Sequence, residues 1–300
     1  MIEQSANSLL IPQKKPPRPA SLWLDAFNRL RRQPLSIFSG IIVLILILTA
    51  IFGSTLAPYD PNNIEMGNRF ASPSLTHPFG TDDFGRDILS RVMVGARVSL
   101  MVGLIAVGIS AVVGSFFGLL AGYTGRIIDE VIMRAMDILF AFPAILLAIA
   151  IMAALGRGVG NAMIAIGIVY VPIFARIARG SVLTVREEEF VEAARAIGST
   201  DGRIMYKHIF PNILSPIIVE ITLSLSFAIL AEAALSFFGL GTQPPDPSWG
   251  RMLSEGRAYF QQSAWLAIFP GLAIMLTVLG FNLLGDGLRD ALDPRLKNVR

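Results

Sequence analysis

Five long stretches of the chain contain no Asp, Glu, Lys, Arg or His: those bounded by Arg32 and Asp60, Arg97 and Arg126, Asp137 and Arg157, Arg157 and Arg176, and Arg257 and Asp286. A helix crosses a hydrocarbon core of about 30 Å with about 20 apolar residues, so each stretch predicts a membrane span. A sixth run, Asn212 to Leu240, is apolar over more than that length but holds Glu220 and Glu232. It is read as a span with two ionisable residues. Before the first span, Leu22, Trp23, Ala26, Phe27 and Leu30 share one helical face and Asp25, Asn28, Arg29 and Arg32 the other. That pattern predicts a helix lying along the membrane surface.

Composition agrees with this pattern. A hydrophobic share of 53%, a charged share of 16% and a mean hydropathy of +0.61 exclude an ordinary soluble domain. With no cysteine there is no disulfide, thiolate nucleophile or Cys-ligated metal. The first apolar run is too long, and too far from Met1, for a cleaved signal peptide and is expected to remain as an anchor. With six spans both termini fall on one side, and the segments of that side hold eighteen Lys and Arg residues against seven on the other. The richer side is expected to be the cytoplasm. The net charge of +3 then follows from topology and gives no reason to expect nucleic acid.

The expected order is therefore a cytoplasmic tail and interfacial helix (1–34), a first span (35–57), an external loop rich in Pro, Asp and Gly (58–97), a five-helix core (98–285) and a cytoplasmic tail (286–300). The external loop is expected to end in an amphipathic helix from about Asp87. Gly114, Gly118 and Gly122, at four-residue spacing in the second span, predict a close helix approach. Pro143, Pro172, Pro216 and Pro270 inside later spans predict kinks satisfied by neighbouring helices, with a hinge as the alternative.

The longest polar segment on the cytoplasmic side is 181–212. In EEEFVEAARAIG, Phe190, Ala193, Ala194 and Ile197 recur at helical spacing, flanked by Glu187, Glu188, Glu192 and Arg195. Gly198 fits a helix C-terminus, Ser199 or Thr200 a following N-cap, and Ile204, Met205, His208 and Ile209 a second apolar edge before Pro211. A helix-turn-helix with no core of its own reads either as a knob for another protein's groove or as an amphipathic hairpin on the headgroups.

The run of Glu192, Ala193 and Ala194, then Gly198, then His208-Ile209-Phe210-Pro211 resembles the EAA motif of binding-protein-dependent ABC importer permeases. The resemblance extends over nearly the whole chain: APYDP, HPFGTDDFGRDILSRVMVGARVSL, QPPDPSWGRML and FNLLGDGLRDALDPRL are similar to the dipeptide/oligopeptide/nickel group, and within it to the second permease subunit of the pair. It implies an all-α membrane protein of type I importer architecture in the cell membrane. It also implies that Glu192, Ala193, Ala194, Gly198, His208 and Pro211 couple the permease to ATPase subunits. The implied partners are a homologous permease, two cytoplasmic ATPase subunits and an extracytoplasmic substrate-binding protein, with peptides or similar small solutes as cargo moved by alternating access.

Absent motifs fit that expectation. No phosphate-binding loop occurs, and no lysine follows a glycine, so this chain is expected to bind no nucleotide; ATP and Mg would be held by partner subunits. No catalytic or metal site is expected, since His77 and His208 fall on opposite sides of the membrane. Glu220 and Glu232, twelve residues apart, lie about 120° apart around a helix and about 18 Å along it, so they do not form one paired site. Each is read as hydrogen-bonded to a neighbouring helix or as lining the translocation path. The alternative function is an ion- or proton-coupled secondary transporter using these two carboxylates. FGTDDFGRD and Trp249 are expected either as a docking surface for a binding protein or as solvated turns with an interfacial anchor.

Overall fold

A computed structural model describes residues 28–292. The expected tail at 1–20, most of the interfacial helix from Ser21 and the last eight residues lie outside them. Nine helices organise the described residues: α1 Pro34–Leu56, α2 Ile88–Thr124, α3 Arg126–Phe140, α4 Ala144–Leu155, α5 Val159–Val185, α6 Glu189–Ala196, α7 Asp201–Phe237, α8 Trp249–Ala258 and α9 Trp265–Leu292. There is no strand among them, only an isolated bridge between Thr81 and Asp87. Five helices, α1, α2, α5, α7 and α9, are each long and apolar enough to cross a membrane, and α3 with α4 makes a sixth, bent pair.

The span expected between Asp137 and Arg157 is thus not one straight helix. Its two halves meet at 92°. Pro143 lies at the break, where it precedes α4 and has no N–H for a continuing helix. Conversely, the amphipathic helix expected from Asp87 is not separate from the second span. Asp87 caps it, accepting from Ser90 N at 2.8 Å, and the helix runs on for 37 residues.

The bundle centres on α2 against α5. A Cβ on Gly114 would lie 2.5 Å from Val171 O and 2.6 Å from Phe174 Cβ, and one on Gly122 would lie 2.9 Å from Val182 Cβ. The four-residue stripe is therefore a backbone-to-backbone seam, where dispersion and not water exclusion drives association. Ser110 Oγ lies 2.8 Å from both Ala106 O and Gly167 O, bridging the two helices five residues before Pro172. α7 closes the core with Leu225, Ala228 and Ile229, all buried. α1 stands apart, with Leu35, Phe38, Leu44, Ile45 and Ile51 exposed as a lipid-facing surface requires. Small residues hold it in place: a Cβ on Gly53 would lie 2.5 Å from Met93 O of α2, and one on Gly280 of α9 would lie 2.9 Å from Ile42 Cγ2.

Candidate functional site

At one end of the bundle α6 stands between the end of α5 and the start of α7. Ala194 and Val191 are buried, whereas Phe190 and Ile197 are exposed, as are Ala193, Glu192 and Arg195. The stripe expected on one face is therefore divided. Ala194 joins Val191 in packing inward, and Phe190, Ala193 and Ile197 form an outward apolar strip. Glu192, Arg195 and Ala196 line an open depression of about 320 Å³ beside it.

Gly198 ends α6. Its φ of 82° is a left-handed conformation that a side chain resists, and the turn it makes lets Ser199 N donate to Ala194 O at 3.1 Å and Gly198 N to Arg195 O at 3.0 Å. Thr200 takes the next N-cap position without a side-chain bond. The second helix of the expected helix-turn-helix does not stop at Pro211. Residues Ile204–Ile209 form a π-helical turn, with Phe210 N bonded to Met205 O, and α7 continues through to Phe237. The wider turn makes room for a proline ring that would otherwise crowd the carbonyl four residues back. Ile204 and Ile209 are buried, His208 is half-buried with its carbonyl accepting from Asn212 Nδ2 at 2.6 Å, and Pro211 is exposed. The elements around this end are tied by charge: Arg179 of α5 makes a two-pronged contact with Asp129 of α3, at 2.5 and 2.6 Å, and Arg176 pairs with Asp137 at 2.7 Å.

The two span carboxylates are not brought together. Glu220 is half-buried and accepts from Ser224 Oγ at 2.8 Å. Glu232 is 1% exposed and accepts from Ser236 Oγ at 2.7 Å and from Ser99 Oγ of α2 at 3.2 Å. Ser99 Oγ in turn accepts from Trp249 N at 3.3 Å, and Ser236 Oγ from Thr242 N at 3.1 Å. Glu232 thus sits where α2, α7 and the start of α8 meet. Neither carboxylate lines the apolar cavity of about 240 Å³ between α4, α5 and α7, whose walls include Ala148, Tyr170, Phe227 and Ala231.

The opposite end carries a cap made of residues 57–87 and α8, and here both expectations for FGTDDFGRD and Trp249 need correction. The charged groups face inward. Asp82, Asp83, Arg86, Asp87 and Arg91 are each at most 9% exposed. Asp82 Oδ2 contacts Arg86 Nε at 2.6 Å and Arg91 Nε at 3.6 Å, and Arg91 reaches Glu255 of α8 at 3.4 Å. Trp249 is 1% exposed and donates from Nε1 to Val92 O at 2.9 Å, so it is an internal strut and no interfacial anchor. His77 joins the same network: its Nδ1 lies 3.0 Å from Asp87 Oδ1 and its ring 4.8 Å from that of Tyr59. The sequence signal for this network was the DDxxRDxxxR spacing, which puts Asp82, Arg86 and Arg91 within reach of one another.

Burial first, and the neighbouring Asp82 carboxylate second, push the Asp83 carboxyl above the ordinary carboxylate range. It binds its proton more tightly in the folded cap than in the unfolded chain. Its contribution is thus most favourable below the ordinary carboxylate pKa and is lost as pH rises through the raised value. Asp83→Asn is expected to flatten that part of the cap's stability against pH and to leave the cap more stable at pH 7. Thermal unfolding between pH 4 and pH 7 checks both; a variant less stable than wild type at pH 7 would contradict this account.

Residues 114–298 match the family described as binding-protein-dependent transport system inner membrane component. The chain belongs to that family. The permease also matches, over residues 21–73, the N-terminal TM domain of oligopeptide transport permease C, which takes in α1 and the first part of the cap. It is 50% identical to the dipeptide transport system permease protein DppC of Alkalihalophilus pseudofirmus, covering 99% of this chain and all of that relative. It is 49% identical to the glutathione transport system permease protein GsiD of Escherichia coli O157:H7, covering 96% of this chain and 95% of the relative. Its fold is similar to an inward-facing structure of the MetNI methionine ABC transporter, with a TM-score of 0.56 and 19% identity over 68% of this chain and 96% of that one. The permease is thus an ABC importer component of the dipeptide/oligopeptide group. Among its described residues no group of His, Cys, Asp or Glu could hold a metal.

Proposed function

We propose that this permease is one half of a heterodimeric importer for di- or oligopeptides or solutes of similar size, glutathione among them, driven by ATPase subunits that bind at α6. One observation carries the reading: on a helix whose Val191 and Ala194 hold it to the bundle, Phe190, Ala193 and Ile197 are left exposed beside an open depression edged by Glu192 and Arg195. An apolar strip with a charged rim suits a protein groove. The Lys and Arg distribution supports a cytoplasmic α6 end and an external cap. ATP binding would draw the ATPase subunits together, carry α6 with them and rock the bundle between inward-open and outward-open states, with a binding protein delivering solute at the cap.

Glu192→Arg tests the reading, because it reverses the charge on the rim without touching the buried side of α6. Tagged wild-type permease purified from its native membrane is expected to bring down ATPase subunits and a second permease. The variant is expected to lose the ATPase subunits, or the activity coupled to them, while keeping its own elution profile in detergent. Wild type that purifies alone and carries solute into liposomes without ATP would refute the proposal.

A further inference from the structure

Where α2 ends, one hydroxyl ties it to the start of α7. Tyr123, the penultimate residue of α2, donates from Oη to Asp201 Oδ1 at the start of α7 at 2.5 Å. One residue earlier, Gly122 O accepts from Arg186 Nη1, at the end of α5, at 2.8 Å. The link before α6, at Arg186, and the first residue after the link that follows α6, Asp201, are therefore both pinned to the same helix end.

That helix is a continuous rod through the molecule. Its 37 residues span about 55 Å at 1.5 Å per residue. At the far end Ser99 meets Glu232 and Trp249, and Arg91 meets Asp82 and Glu255. Between the two ends, glycines hold it against the backbone of α5. A push on α6 has two routes into the bundle. One is apolar packing of Val191 and Ala194, which can slide; the other runs through the short link 197–200 to Asp201, whose directional, charge-assisted hydrogen bond with Tyr123 cannot shift by an ångström without breaking.

We propose that Tyr123 is a positioning residue for transport: its hydroxyl delivers displacement of α6 to α2, and so to the cap at the other end. The inference rests on the reading of α6 as the ATPase contact. It assigns the transmission step to a side chain outside the EAA segment.

The chain has no cysteine, so a single one reports on the bundle without background from this subunit. Phe227→Cys places it on the wall of the cavity between α4, α5 and α7, at an exposed position. Maleimide labelling of that cysteine, in the complete transporter in liposomes, is compared without nucleotide and with ATP and vanadate; ATPase rate is measured alongside. With Tyr123 intact, labelling is expected to depend on nucleotide. With Tyr123→Phe, which keeps the ring and its packing, the ATPase subunits and their activity are expected to remain while the nucleotide effect on labelling falls by about fivefold or more. Asp201→Asn is expected to act in the same direction, and to add little to Tyr123→Phe, because both cut the same bond.

A full nucleotide effect in Tyr123→Phe would overturn the inference alone. So would joint loss of ATPase activity and labelling change, which would make Tyr123 a docking or folding residue. Wild-type permease without ATPase subunits, or with labelling blind to nucleotide, would overturn the importer reading and this inference with it.

Discussion

Leucine in place of Gly118 is expected to leave little folded permease in the membrane. A Cβ at that position falls 2.7 Å from Ala178 Cβ and 3.0 Å from the carbonyl carbon of Ala175, which is closer than packed atoms approach. Both obstacles belong to α5 itself, one its backbone and the other a methyl fixed to it, so no side chain can swing aside. Adding methylenes to a well-packed site costs typically about 1–3 kcal/mol, and more where whole helices must separate. The same change at Gly108, on the exposed side of α2, where a Cβ would meet nothing within 4 Å, is expected to be tolerated. Fluorescence-detected size-exclusion chromatography of the two variants after heating gives the comparison. Equal recovery of Gly118→Leu and Gly108→Leu would mean that the seam is not what holds α2 to α5.

Arg91→Ala is the second large effect. The Arg91 side chain is 2% exposed and stands between Asp82 and Glu255, with Pro61 O accepting from its Nη1 at 3.1 Å. Removing it leaves buried carboxylates short of a cation and a carbonyl without its donor. Breaking such a buried pair from one side costs about 3–5 kcal/mol, because the remaining charge has lost its solvent and its partner. The damage is expected to be local. Hydrogen exchange is expected to accelerate at the cap amides of Asp82, Arg86 and Ile88, which bond to Arg86 O, Asp82 Oδ1 and Gly80 O, while the amides of the α2/α5 seam keep their protection. Unchanged exchange at these three amides would show that Arg86, together with Arg251, whose Nε lies 2.8 Å from Glu255 Oε1, neutralises the cluster without Arg91.

The two ends of the molecule differ in how plainly they can be read from the chain. Spans declare themselves by what they lack, since lipid forbids unpaired charge and the gaps between charges mark the crossing helices. The Gly114-Gly118-Gly122 stripe was equally legible, because four-residue spacing fixes a helix face. In the EAA segment the motif and the Gly198 turn could be placed, but periodicity could not say which side of α6 faces the bundle. Phe190, Ala193, Ala194 and Ile197 form one stripe of about 100° with Ala194 at its edge, and Val191, which the pattern left out, lies just beyond that edge and packs inward with Ala194. Pro211 misled for a different reason: a proline argues for a helix boundary, and a π-helical turn is a tertiary solution that carries no local signature. The cap was the least legible. Asp and Arg among Gly and Pro suggest a solvated loop, and only the fold brings Glu255, 164 residues beyond Arg91, to bury them. The same holds for Tyr123, whose partner Asp201 lies 78 residues on, at the start of another helix.

One flank of the molecule is much shorter than the rest. The 12 residues of α4 rise about 18 Å, whereas the hydrocarbon layer is about 30 Å deep. The break at Pro143 turns the preceding helix away at a right angle instead of extending the crossing. Any lipid in contact with α4 would have to thin to match it, at an elastic cost set by the area in contact with acyl chains. A neighbouring helical bundle seated along that flank would replace the strained lipid with protein of matching shape. In the heterodimer proposed above, such a neighbour would relieve that strain independently of any side chain at the seam between the two subunits.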